Sequence, residues 1–329
     1  MSNKHFTDDL ISVFRDDPSF DEQSKTLIMR NLAKLKDTKV NILITGATGC
    51  GKSSTINALF NSNKAKVGQG VDPETMDIAK YELDNIVLFD SPGLGDGKEA
   101  DRRHSKNIID KLYEKNKDGD LLIDLVLVIL DGSSRDLGTS FELINNVIIP
   151  NLGEDKKRLL VAINQADIAM KGGNHWNYKD NKPQPELVKF LDEKVESTKR
   201  RIKEATSVDV DPIYYSAGYK DGSEEQRPYN LSKLLAFILR HTKEEKRIVF
   251  AQDINKDNAM WQDDDQLENY REEIKNSFME SLKAGASQGA DIVGAIGGAI
   301  AGKFGEVIGR GVGALGGALV GAIGSIFGW

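Results

Sequence analysis

KVNILITGATGCGKSSTINALFN, residues 39–61, decides how this chain is read. It opens with a β-rich run, KVNILITG (39–46), passes through a glycine loop and continues as a helix-forming stretch, KSSTINALFN. Within it, GATGCGKS (46–53) matches the pattern G-x-x-x-x-G-K-[ST] in full. It lies after a strand and before a helix, which is where the chemistry of that pattern needs it. Gly46, Gly49 and Gly51 let the main chain curl around anionic oxygens, the loop amides turn inward, and the helix N-terminus adds partial positive charge. Gly46, Ala47, Thr48, Gly49, Cys50, Gly51, Lys52, Ser53 and Ser54 are therefore expected to cradle phosphates. Lys52 should reach the β- and γ-phosphates, and the Ser53 hydroxyl should ligate Mg²⁺.

Outward from this loop, strand-like and helix-like segments alternate. AKYEL (79–83) and NIVLFD (85–90) read as strands close enough to pair as a hairpin. DLVLVILD (124–131), RLLVAIN (158–164) and PIYYSA (212–217) read as further buried strands. Helical stretches are expected at about 99–116, 138–149, 185–205 and 230–241. Such alternation implies a mostly parallel sheet with helices on both faces, whose ligands gather at the carboxyl ends of the strands.

Three further motifs fall at those ends. Asp90 closes an apolar strand in DSPG (90–93), where a carboxylate suits the outer shell of Mg²⁺ and the Gly93 N–H can meet a γ-phosphate. Between this motif and the glycine loop, Thr75 in VDPETMD is the best-placed hydroxyl to close on Mg²⁺ and the γ-phosphate. Lys52, Thr75 and Gly93 are thus the candidates for acting on the γ-phosphate, and Ser53, Thr75 and Asp90 for holding the metal. NQAD (164–167) fits a guanine-reading pattern, since the Asp167 carboxylate can accept from both the ring N1–H and the exocyclic amine of guanine, a donor pair adenine lacks. Asn164 should brace the loop and contact the base. Gln165 stands where lysine is commoner, which loosens the expected packing over base and ribose. Ser216 and Ala217 fit the short loop whose backbone N–H meets guanine O6.

GATGCGKSSTINALF, DSPGLGDG, NQAD and YSA together resemble the Era-like GTPases of the translation-factor-related class. They look closest to the bacterial HSR1-related, 50S-ribosome-binding-type GTPase domain family. The resemblance covers about residues 38–241. It implies a Ras-like α/β domain, GTP, GDP and Mg²⁺ as ligands, and slow hydrolysis of GTP to GDP and phosphate. One departure matters: many GTPases place a water-orienting glutamine after the DxxG motif, and this chain has Leu94 there. Weak intrinsic turnover is expected, with water positioning supplied by another switch residue, the backbone, a monovalent cation or a partner. Asp96, Lys98 and Asp101 are nearby candidates.

Composition divides the 329 residues into four parts. A helical lead spans 1–37, with Ile28, Leu32 and Leu35 at helical spacing; the GTP-binding domain spans 38–241. A polar helical connector spans 242–283, followed by a Gly/Ala-rich tail over 284–329. Fifteen of the 31 glycines fall in that tail, many four residues apart, with only Asp291, Lys303, Glu306 and Arg310 charged. Glycines at that spacing form a smooth helical ridge, so an all-α hairpin of glycine-zipper type is expected. Two occupants of its apolar face stay open: a membrane, or protein in the form of the GTP-binding domain or an oligomer. A KH-like RNA loop at Gly302–Gly305 is a third reading. The net charge of -7 leaves no global nucleic-acid footprint. The single cysteine, Cys50, excludes an internal disulfide, and charges near the N-terminus break any signal-peptide core; a cytoplasmic setting, with the tail at the membrane face, is expected. The functions open from sequence are a nucleotide switch over membrane association or oligomerisation, a ribosome- or RNA-associated assembly GTPase, and a membrane-active effector triggered by the nucleotide domain.

Overall fold

The computed structural model describes residues 5–16, 18, 21–60, 66–68, 78–172, 175–221 and 224–287. Thr75 and the glycine-rich residues 288–329 lie outside the described residues. In chain order the elements are α1 (Phe6–Asp16), α2 (Glu22–Asp37), β1 (Val40–Thr45), α3 (Lys52–Leu59), β2 (Lys66–Gly68), β3 (Ala79–Glu82), β4 (Ile86–Asp90) and α4 (Lys98–Tyr113). Then come β5 (Leu125–Asp131), α5 (Gly138–Glu142), α6 (Ile149–Asn151), β6 (Leu159–Asn164), β7 (Trp176–Asn177), β8 (Lys182–Pro183) and α7 (Pro185–Thr206). The chain continues through β9 (Ile213–Tyr214), β10 (Tyr219–Asp221), β11 (Glu224–Gln226), α8 (Leu231–His241), α9 (Phe250–Asp253) and α10 (Tyr270–Ser287).

Seven strands form one sheet in the order β2-β3-β4-β1-β5-β6-β9. From β4 to β9 the neighbours run parallel, and β2 and β3 add an antiparallel edge. The alternation of side chains along a strand divides the apolar residues between two cores. In β1, Ile42 and Ile44 enter the core shared with α2, α3 and α8, while Leu43 enters the core under α4 and α7. Both faces being covered explains why β5 is apolar from Leu125 to Leu130, every one of them buried.

The register lines up the site. Ile44 pairs with Asp90, Asp131 with Asn164, and Ile163 with Tyr214, so the carboxyl ends of five parallel strands meet along one edge. The expected helix over 138–149 is interrupted. A π-helical turn, Leu143–Ile148, separates α5 from α6, just ahead of Pro150, which has no N–H to offer the ladder. The expected strand 212–217 pairs in the sheet only over β9; beyond it Ser216 pairs with Tyr229 instead.

The lead and the connector join the same core. Ile28, Leu32 and Leu35 are buried against it, and a further helix, α1, precedes them. From the connector, Phe250, Ile254, Trp261, Ile274, Phe278 and Leu282 are buried in the cluster that holds β1, α3 and α8. Leu267, another of its apolar positions, is exposed.

Candidate functional site

The phosphate-loop sequence leaves β1 at Thr45 and enters α3 at Lys52. Gly51 precedes the helix at φ 87°, in the left-handed region. A side chain there would also meet Asn164 Nδ2 at 2.2 Å, so glycine is required twice over. Lys52 Nζ donates to the Gly46 carbonyl at 2.8 Å and to the Ala47 carbonyl at 3.3 Å, which holds the ammonium inside the curl of the loop. Ser53 and Ser54 stand exposed in the first turn of α3, among backbone amides that have no helical partner. Cys50, by contrast, is fully buried, and burial pushes its thiol up. It is a packed small residue, not a reactive point.

Asp90 lies half-buried at the end of β4, beside this loop. Burial raises its carboxyl, and the Lys52 ammonium pulls it back down. Its Oδ1 is buried and has no hydrogen-bond partner among the described residues. An orphaned buried carboxylate oxygen is expensive unless a cation or a donor completes it. Three residues on, the chain runs so close to the phosphate loop that a Cβ on Gly93 would lie 2.7 Å from the Gly46 carbonyl carbon and oxygen and 2.9 Å from Ala47 N. Ser91 N donates to Ile44 O at 2.9 Å and Thr45 Oγ1 to Pro92 O at 3.2 Å, which rivets the two segments together.

Leu94 is half-buried and packs against the apolar cluster under α4. Asp101 accepts from the Gly95 and Asp96 amides at 2.8 and 3.1 Å, so it shapes the loop ahead of α4. His104, which the sequence did not single out, is buried with Nδ1 3.1 Å from the Gly93 carbonyl.

The third loop follows β6. The Asn164 side chain spans two segments: Nδ2 donates to Cys50 O at 2.9 Å, and Oδ1 accepts from Ala217 N at 3.0 Å. Gln165, at φ 60°, donates from Nε2 to Gly49 O at 2.7 Å and accepts from Ser133 Oγ at 3.3 Å. Its polar end is therefore tied to the phosphate loop. The Asp167 carboxyl is raised by burial and drawn back by the Ser216 hydroxyl. Ser216 and Ala217 are buried just beyond β9.

The sequence also missed a brace beside this loop. Lys194 on α7 donates to Gly132 O at 2.5 Å and Ser134 O at 2.8 Å, while Gly132 N donates to Asn164 O at 2.8 Å. Burial lowers the Lys194 ammonium, and Asp131 partly offsets that. No local pattern marks these residues, because each acts on a segment 30 or more positions away. In the insertion after NQAD, Trp176 is buried edge-on against Tyr229, whereas Tyr178 is exposed. Among the described residues no cluster of three or more His, Cys, Asp or Glu could hold a metal. A cation at this site would lean on one carboxylate, a hydroxyl and a ligand's own oxygens, the hard donor set that suits Mg²⁺.

Residues 41–165 match the model of a family described as 50S ribosome-binding GTPase. This part of the chain is a P-loop GTPase domain of that family. Similar curated proteins include translocase of chloroplast 125 from Physcomitrium patens, 35% identical over 36% of this chain and 11% of that protein. Another is the tRNA modification GTPase MnmE from Mycoplasmopsis pulmonis, 30% identical over 46% of this chain and 31% of that one. The matches thus span about a third or less of these relatives. Among solved structures, Toc33 from Arabidopsis thaliana in complex with GDP and Mg²⁺ aligns with a TM-score of 0.43 at 15% identity, over 74% of this chain and 99% of that one. The GTPase domain has its glycine loop, DSPG and NQAD on one edge of its own sheet.

Proposed function

We propose that this protein binds GTP with Mg²⁺, hydrolyses it slowly to GDP and phosphate, and uses the nucleotide as a switch over membrane association or self-association through residues 284–329. The observation that carries the nucleotide part is the convergence, at the carboxyl ends of β1, β4 and β6, of a coiled amide loop, a carboxylate with one buried oxygen unpartnered among the described residues, and a second carboxylate held by Ser216. In this reading the amides of 49–54 and Lys52 bind the phosphates. Ser53, Asp90 and Thr75 hold Mg²⁺, with Asp90 Oδ1 the oxygen in need of a partner. When bound, Mg²⁺ neutralises charge that develops between the β- and γ-phosphates. The Gly93 N–H contacts the γ-phosphate, Asp167 reads the guanine edge, and Asn164 locks that reader to the phosphate grip.

An Asp167→Asn variant tests this assignment. The amide places a donor where guanine also presents one. GTP affinity should fall at least about 100-fold, the cost of losing two charge-assisted hydrogen bonds, while xanthosine triphosphate gains. Unchanged GTP affinity would remove the base-site assignment.

Slow turnover follows from Leu94, whose apolar side chain is packed away and cannot orient water. The rate per molecule should rise with protein concentration or on adding a partner; a fast, concentration-independent rate contradicts this. The switch part rests on the tail's glycine spacing and on the relatives named as chloroplast translocases. No helix among the described residues is long and apolar enough to cross a membrane. Liposome flotation of the full chain and of residues 1–287, each with GTP and with GDP, is the deciding measurement. Flotation that depends on both tail and nucleotide supports the switch. Co-sedimentation with ribosomes in place of flotation favours the assembly role that the family's description suggests.

A further inference from the structure

Asn164 and Gln165, both in the NQAD motif, link the two ends of the site. The structure contains a further link outside the motifs, at Tyr215. This side chain is fully buried behind the site, with its hydroxyl 2.6 Å from Thr55 Oγ1. Thr55 is also fully buried, and its Oγ1 donates to the Gly51 carbonyl at 2.8 Å. A threonine hydroxyl has one hydrogen, already committed to Gly51, so the tyrosine is the donor in the pair. Burial pushes the Tyr215 hydroxyl well above its ordinary value, which keeps it a neutral donor.

The main chain of the same residue holds the other two loops. Tyr215 O accepts from Ala166 N, inside NQAD, at 3.2 Å, and Tyr215 N donates to Ile163 O at 2.9 Å. Its successors Ser216 and Ala217 bond Asp167 and Asn164. One residue therefore reaches the phosphate loop through its side chain and Thr55, the base-reading loop through its backbone, and the short SA loop through the chain itself.

We propose that Tyr215 is a positioning residue whose hydroxyl, through Thr55 and the Gly51 carbonyl, fixes the separation between the phosphate grip and the guanine reader. This rests on the nucleotide reading above and deepens it. A guanine nucleotide is a linked ligand: binding at one end presents the other at high effective concentration only if the two subsites stand at the right distance. Loosening that distance weakens ligands that span the site and spares ligands that occupy one end.

The test uses the full chain with Mg²⁺ and a fluorescent GDP, displaced in turn by GDP, pyrophosphate and guanosine. The variants are Tyr215→Phe, Thr55→Val, Thr55→Ser and the double Tyr215→Phe/Thr55→Val. GDP affinity should fall about three- to tenfold in Tyr215→Phe and in Thr55→Val, the range for one buried hydrogen bond. It should fall no further in the double variant, because both changes remove the same link, and Thr55→Ser should retain wild-type affinity. Pyrophosphate and guanosine should stay within about twofold of wild type, since neither spans the two subsites. Unchanged GDP affinity in folded Tyr215→Phe and Thr55→Val would overturn the proposal. So would a parallel loss for pyrophosphate, which would make the pair a mere support of the phosphate loop. A wild-type chain that takes up no GDP would overturn the nucleotide reading itself, a result distinct from either.

Discussion

At the scale of single residues, two positions show how packing and charge set the chemistry. Gly93 is glycine because its backbone runs against Gly46 and Ala47, with no room for a methyl group. In Gly93→Ala the segment must retreat from the phosphate loop and carry its N–H away from the place proposed for the γ-phosphate. A GTP analogue should then lose about tenfold in affinity, one hydrogen bond to a charged group, while GDP loses little. Parallel titrations of the two nucleotides check this, and equal losses would mean that Gly93 only supports the loop. Asp167 makes a prediction about pH. Burial raises its carboxyl, so protonation begins at a higher pH than for an exposed aspartate. In the proposed reading, guanine binding needs the ionised form, which accepts both base donors. GDP affinity should therefore be full at neutral pH and decline as pH falls through that raised value. Calorimetric titrations without Mg²⁺, between about pH 4 and 8, follow this decline, and the same series in Asp90→Asn removes the other raised carboxyl of the site; the lower bound stays near the ordinary carboxylate range. A flat profile with the protein still folded would count against the base reader.

At the scale of elements, legibility followed the range of the forces involved. The long amphipathic helix α7 and the strand β5, buried from Leu125 to Leu130, could be read almost to the residue, because their patterns repeat over many positions. The strands β2, β7, β8, β10 and β11 have three residues or fewer and no period to read. Helix α1 lies within the helical lead expected over 1–37, where only Ile28, Leu32 and Leu35 marked a helix by their spacing; it is anchored from afar, by His5 Nε2 at 2.8 Å from Asn85 Oδ1. The same Asn85 sits in the turn between β3 and β4, where Asp253 from α9 accepts the amides of Asp84, Asn85 and Ile86 at 3.1, 2.6 and 2.7 Å. Burial raises the Asp253 carboxyl, so its ionised form is held at a cost and only because three donors converge on it. Two substitutions separate charge from hydrogen bonding. Asp253→Ala strands the buried amides of Asn85 and Ile86, at about 1–3 kcal/mol each, and should lower stability by about 2–6 kcal/mol. Asp253→Asn keeps an oxygen for those two short bonds and sheds the buried charge, so its cost should be under about 1 kcal/mol. Urea unfolding of both variants gives the comparison; equal losses would show that the charge, not the acceptor geometry, secures the turn.

At the scale of the whole molecule, the site was legible further than the body that carries it. The glycine loop, DSPG and NQAD announce themselves because each is a short run at a strand end, where a ligand dictates residue types locally. The Tyr215–Thr55 pair is 160 positions apart in sequence, and nothing local in either segment anticipates it. The same limit hid the weight of residues 242–283, which read as a polar segment with scattered apolar positions. Folded, Phe250, Ile254, Trp261, Ile274, Phe278 and Leu282 are all buried in one core with β1, α3 and α8, and Lys246 pairs with Asp124 at 2.7 Å. Burying each such side chain stabilises by about 1.5–3 kcal/mol, so the six together contribute about 9–18 kcal/mol. That is comparable to the net stability of a typical domain, about 5–15 kcal/mol. A chain cut at 241 should therefore fail to fold, even though every nucleotide motif is retained. A chain cut after Ser287, where α10 ends, keeps this core and should unfold cooperatively with full GDP affinity. Circular dichroism melts and GDP titrations of the two truncations decide the point. A stable, GDP-binding 1–241 fragment would show that the nucleotide domain stands without the helices that follow it, and that the shared core is a dispensable coat.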